Sequence, residues 1–164
     1  MVASIRPVKV GVALALDRDA GELFADARAL EGAGADSFCA ASTDGQLVLL
    51  AAIAAVTWRS RVMVVDLEPG PAIDTLVRVA RGRVEMASTV APGDELKVSA
   101  GDQPEERWIR VPFPERRVGW NELRAKAEAE GVAGIILPND PRLLDLLRNP
   151  DVTDDRSDLK LAFG

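Results

Sequence analysis

The stretch Val8-Lys9-Val10-Gly11-Val12-Ala13-Leu14-Ala15-Leu16, closed by Asp17-Arg18-Asp19, decides the fold class. It is a nearly continuous apolar run, rich in valine and bounded by polar residues. Runs of this kind are buried strands of parallel sheets. Asp19 and Glu22 then stand at capping-box spacing and start a helix. Leu23, Phe24, Ala27 and Leu30 recur at helical intervals as far as Gly34, which suits the residue just past a helix end.

The same rhythm continues downstream. Ser37 to Ala41 reads as a second buried strand, and Thr43 with Gln46 repeats the capping-box spacing ahead of an apolar helix over Leu47 to Trp58. Arg61 to Leu67 holds the strand core Val62-Met63-Val64-Val65. Pro69-Gly70-Pro71 breaks the chain. Ile73, Leu76, Val77 and Ala80 predict a short third helix ended by Gly82, and Arg83 to Ser88 a fourth, weaker strand. Alternation of this kind implies an α/β fold, a mainly parallel sheet covered by helices through right-handed crossovers.

The second half departs from it. Leu96, Val98 and Ala100 alternate with polar residues, and Trp108 to Val111 alternates again beyond the turn Gly101-Asp102-Gln103-Pro104. These segments predict an antiparallel hairpin or a single edge strand. Asn121 to Glu130 is expected to be helical and Val132 to Leu137 a buried strand. Asp140 is expected to cap a last helix with Pro141 at its first position. Asp151 to Asp158 reads as acidic loop, and Leu159 to Phe163 as an apolar tail that docks on its own domain or on a partner.

Composition bounds the chemistry. The chain has 164 residues, 48% hydrophobic and 28% charged, which fits one domain spanning 1–164. It has no histidine, which removes serine–histidine triads and histidine metal ligands. A single cysteine removes a disulfide framework. With 26 acidic against 20 basic residues and a net charge of −6, nucleic acid is not an expected partner. The longest apolar run, Leu47 to Val56, is 10 residues, against about 20 for a membrane span, so no membrane partner is expected. No signal peptide is read at the start, and lone Cys39 fits a cytoplasmic location.

Several blocks together resemble the luciferase-like family of flavin- or deazaflavin-dependent oxidoreductases. They are Leu23-Phe24-Ala25-Asp26-Ala27-Arg28-Ala29-Leu30-Glu31, Gly34-Ala35-Asp36-Ser37, and the run from Asp44-Gly45-Gln46 to Val56-Thr57. Arg61-Val62 and Gly82-Arg83-Val84-Glu85 follow in the family's order. The resemblance covers residues 8 to 88. It implies a monooxygenase-type barrel with an FMN or deazaflavin coenzyme over the C-terminal strand ends. A full (β/α)₈ barrel takes about 250 residues, so the implied architecture is truncated and TIM-barrel-like, with a β-pair replacing the middle of the barrel. The family often carries an acidic residue and a histidine after the second strand, where this chain has Ala41-Ser42-Thr43.

The residues that the resemblance places under a flavin are Asp17, Ser42, Thr43, Asp66, Ser88, Thr89 and Asn139. Their hydroxyls and amide suit hydrogen bonds to a flavin ring or ribityl chain, while Thr43 and Asp140 also read as helix caps. Asp17, Asp66, Glu68 and Asp140 are carboxylates at strand exits, but nothing in their spacing specifies a metal site. Cys39 falls mid-strand, as inert core cysteines do. Trp58, Trp108 and Trp120 are expected as core or interface anchors. Two functions follow: a flavin-dependent oxidoreductase acting on a small organic substrate, or a non-catalytic barrel that binds a ligand or protein and no cofactor. A third reading is an unrelated open α/β domain, whose sheet order would not run in sequence. A truncated barrel leaves open edges, for which a homodimer is the simplest repair.

Overall fold

The computed structural model describes residues 7–15 and 17–150. Seven strands follow one another around a closed barrel: β1 (Lys9–Ala13), β2 (Ser37–Ala41), β3 (Arg61–Val65), β4 (Val84–Val90), β5 (Glu95–Ser99), β6 (Glu106–Arg110) and β7 (Gly134–Pro138). Five helices accompany them. α1 (Ala20–Ala33), α2 (Asp44–Val56) and α3 (Pro71–Ala80) follow the first three strands, α4 (Arg117–Ala129) follows β6, and α5 (Leu143–Arg148) follows β7.

This corrects the expected architecture. The barrel is neither TIM-like nor truncated. β7 pairs with β1 in parallel along its whole length, Lys9 opposite Gly134 and Ala13 opposite Pro138, and this pairing closes the ring. The sheet is mixed, since β5 runs antiparallel to both β4 and β6. A TIM barrel repeats strand and helix eight times. Here β4, β5 and β6 are joined by short turns with no helix between them. Strand order runs in sequence around a closed ring, so the open α/β reading falls as well. Closure also removes the open edges on which a homodimer was argued. An interface between copies would instead use exposed apolar side chains such as Trp58, Val77 and Val118.

Local signals explain most of the elements. The Asp19 carboxylate accepts hydrogen bonds from the N–H groups of Gly21 and Glu22 at 2.9 and 3.2 Å, capping α1. Gly34 ends that helix with φ at +105°, a conformation that favours glycine. Thr43 makes no side-chain cap on α2, and Gln46 reaches back to the Ala41 N–H at 2.6 Å instead. α4 begins at Arg117, ahead of the expected Asn121, because buried Trp120 draws the preceding turn onto the barrel.

Strand alternation divides the core in two. Val10, Val12, Phe38, Val62, Val64, Ile135 and Leu137 face outward and meet the apolar helix faces. Cys39, Met63, Val65, Ala87, Leu96, Val98, Trp108 and Ile136 face inward and fill the barrel. The indole of Trp108 is fully buried and lies against two glycine positions, Gly11 and Gly134. Glycine is needed there because the ring occupies the space a side chain would take.

Candidate functional site

Parallel strands leave the barrel with two distinct mouths. At the N-terminal mouth the inward side chains are charged and paired. Lys9 Nζ donates to both Glu106 oxygens at 2.7 and 2.9 Å, and Trp108 Nε1 donates to the same carboxylate at 3.0 Å. The Ser37 hydroxyl donates to Glu85 at 2.8 Å, and Arg61 Nε stands 2.8 Å from the other Glu85 oxygen. Burial pushes the Glu85 carboxyl above its ordinary value; the Ser37 hydrogen bond and the Arg61 and Lys9 charges oppose it only in part. Clefts of about 460 and 230 Å³ open beside this network. None of the four charged groups was expected as a site residue, although strand phase carried the signal: Lys9, Arg61, Glu85 and Glu106 all fall on inward positions. Lys9, Glu106, Trp108, Ser37 and Glu85 are hydrogen-bonded to one another in pairs, while buried Arg61 Nε, close to Glu85, makes no hydrogen bond among the described residues.

The C-terminal mouth holds the residues expected from the sequence, and the structure separates them by role. The Ser42 hydroxyl accepts from the Glu68 N–H at 2.8 Å, tying the β2 exit to the β3 exit. Asp66, with φ at +51°, accepts from both the N–H and the hydroxyl of Thr89 at 2.7 Å. Those two Thr89 bonds hold the Asp66 carboxyl below its ordinary value. Asp140 is clamped by the Arg142 guanidinium and N–H, which hold its carboxyl at about 2. Asp17 and Thr43 are exposed. Ser88 is exposed on the outer face of β4, opposite Lys97. The four strand-exit carboxylates form no metal site; no such cluster occurs among the described residues.

A flavin does not fit this set. Ser42, Asp66 and Thr89 are engaged in holding loops together, Ser88 faces away, and the space beneath the mouth is filled by Leu96, Trp108 and Ile136. Cys39 is buried mid-barrel with its thiol against Met63 Sδ, and burial pushes the thiol far up. Among the tryptophans, Trp108 and Trp120 are core, whereas Trp58 is 70% exposed under the Arg81 guanidinium, 5.0 Å from the ring centroid.

Two donors at this mouth stand apart. Arg110 is two residues after Trp108 on β6 and opposite Ile136 on β7, so it faces the barrel interior at the rim. Its charge is felt by both Cys39 below and Asp66 above. Its N–H donates to the Asp94 carbonyl at 2.7 Å, while its side chain makes no hydrogen bond, ion pair or ring contact among the described residues. Asn139, on the neighbouring strand exit, has its N–H bound to the Ala13 carbonyl at 3.2 Å, while its side-chain Nδ2 is buried with no partner among the described residues. Asn139 was in the expected set. Arg110 was not, though its phase with Trp108 was readable.

Among the described residues, no helix is long and apolar enough to cross a membrane. No protein-family model matches the chain, and no curated protein matches it. One solved structure with similarity is a prephenate dehydrogenase from A. aeolicus in complex with hydroxyphenyl propionate and NAD+. It is 11% identical with a TM-score of 0.32, and the match covers 88% of this chain and 64% of that one. The chain thus spans less than two thirds of that protein, and a likeness at this level carries no argument about fold or function. The TIM-barrel description is withdrawn, because the barrel is closed, seven-stranded and mixed; the comparisons do not bear on the luciferase-like resemblance.

Proposed function

We propose that the chain is a non-catalytic barrel that binds a small ligand at its C-terminal mouth. The observation that carries this reading is the filled interior. Barrel enzymes place reacting groups at the C-terminal strand ends, and here the interior beneath those ends is filled by side chains, fully buried Trp108 among them. The nucleophile- and base-type residues at the rim, Ser42 and Asp66, serve the loops. What stays available at the rim is the Arg110 guanidinium, which is neither a nucleophile nor a general base. The test is titration with FMN and with a deazaflavin coenzyme, followed by flavin fluorescence and absorbance. The expected result is no saturable change up to high micromolar coenzyme. A stoichiometric quench, or coenzyme turnover with any electron donor, overturns the reading in favour of an oxidoreductase.

A further inference from the structure

We propose that the apolar groove between the loop after β6 and α4 is the seat of residues 159–163 of this same chain. The proposal goes beyond the ligand reading above and does not rest on it.

The groove comes first. Val111 and Phe113 on the loop and Val118 and Leu123 on α4 line one concavity of about 680 Å³. Val118 is 54% exposed on a helix that buries Trp120 and Ala127 against the barrel. A single exposed valine needs no explanation. Four apolar side chains sharing one open groove mark a surface that something covers.

The chain is delivered to this place. The Arg117 guanidinium bonds the Asn149 carbonyl and the Asp145 carboxylate, so the chain leaves the described residues at Pro150 beside the first turn of α4. A smaller cleft of about 140 Å³, lined by Arg117 and Asp145, shares Phe113 and Arg116 with the groove and joins the two places. Residues 151–164 lie outside the described residues. Their sequence matches the path in charge and pattern. Residues 151–158 can reach up to about 25 Å. They carry Asp151, Asp154, Asp155 and Asp158 against a single basic residue, Arg156. Exposed Arg148 stands at the start of the path and exposed Arg116 at the groove. Leu159, Leu161 and Phe163 alternate with Lys160 and Ala162, so an extended segment would present three apolar side chains on one face. Glu115 and Glu122 at the groove give Lys160 opposite charges to meet. A short tether also supplies its segment at an effective concentration on the order of millimolar, which favours the chain's own segment over that of a second copy.

The experiment uses the full chain with Ala162→Cys carrying a nitroxide; Cys39 is buried mid-barrel and stays unlabelled. Methyl signals of Val111, Val118 and Leu123 should broaden, while those of Val77 on α3, between β3 and β4, should not. An equal mixture of nitroxide chains lacking isotope and isotope-labelled chains lacking nitroxide should show no broadening. Leu161→Ser together with Phe163→Ser should lower the ratio of docked to undocked chains about tenfold or more, since each side chain loses its apolar burial. Val118→Asp should do the same from the groove side. That position is exposed and lies in the first turn of α4, where a carboxylate suits the helix, so the fold is kept. Arg116→Glu should weaken docking through charge alone. Unbroadened groove methyls in the parent overturn the proposal, as does broadening unchanged by the serine pair and by Val118→Asp. Groove broadening in the mixture also overturns it, by giving the groove to a second copy.

Discussion

Alanine at Gly134 should cost the protein about 3 kcal/mol or more, a large fraction of the roughly 5–15 kcal/mol by which a domain is stable. A methyl group built on Gly134 falls well inside contact distance of Trp108 Cδ2, Cε3 and Cε2. The ring cannot yield. It is fully buried, its Nε1 is bonded to Glu106, and its other edge lies close over Gly11, which has no room even for a methyl group. Moving the indole would break the bond to Glu106 or displace Leu96 and Ile136, and closely packed interiors resist both. Urea denaturation of Gly134→Ala measures the loss. The mechanism has its own check in a double-mutant cycle with Trp108→Leu. Trp108→Leu is itself destabilising, since it empties part of the barrel, but in that background Gly134→Ala should become nearly neutral. A cost below about 1 kcal/mol in the parent, or an undiminished cost once the indole is replaced by the smaller leucine side chain, would show that ring contact is not what excludes a side chain at 134.

That contact also shows which part of the fold was readable beforehand. Strands and helices announce themselves locally. Asp19 caps α1, Gly34 ends it, and the valine runs of β1 and β3 appear where their apolar patterns lie. Barrel closure is a different kind of fact. It joins Lys9 to Gly134, and no local pattern says that a strand near each end of the chain will pair. The expectation of an open, shortened barrel came from counting β–α steps against a family of longer chains. The count could not show that β5, reversed between two turns, fills its place in the ring without a helix. The candidate site divides in the same way. Polar residues at strand exits can be named from sequence, but the bonds of Ser42 with Glu68 and of Asp66 with Thr89 cross between loops. Only the assembled rim distinguishes groups already engaged from Arg110 and Asn139. One signal was present and went unread: Trp108 and Arg110, two residues apart on an alternating strand, must share a face.

The second large effect concerns a single carboxylate far from that rim. Glu31, buried near the end of α1, accepts hydrogen bonds from three consecutive backbone N–H groups: Trp58 at 2.8 Å, Arg59 at 2.6 Å and Ser60 at 2.8 Å. It thereby fixes the turn between α2 and β3, where Arg83 also gathers the Ala54 and Ser60 carbonyls. Burial pushes the Glu31 carboxyl up, but the N–H bonds from Ser60, Arg59 and Trp58 together outweigh it and hold the group below its ordinary 4.5. Glu31→Gln keeps the shape, removes the charge and turns one acceptor into a donor facing N–H groups. The expected cost is about 2 kcal/mol at neutral pH, within the range for charge-assisted bonds. The sign with pH follows from the depressed folded value. The stabilisation is fully present above 4.5 and is lost as pH falls from there through the lower folded value. Glu85 and Asp36 are shifted the opposite way by burial, so their ionisation works against folding as pH rises. Both are present in parent and variant alike and cancel in the difference. Denaturation of the two proteins across an acid series should therefore show a constant gap at neutral pH that closes below 4.5. A gap that persists undiminished to the lowest pH at which the parent still folds would mean that the turn is held by shape, with the Glu31 charge irrelevant to it.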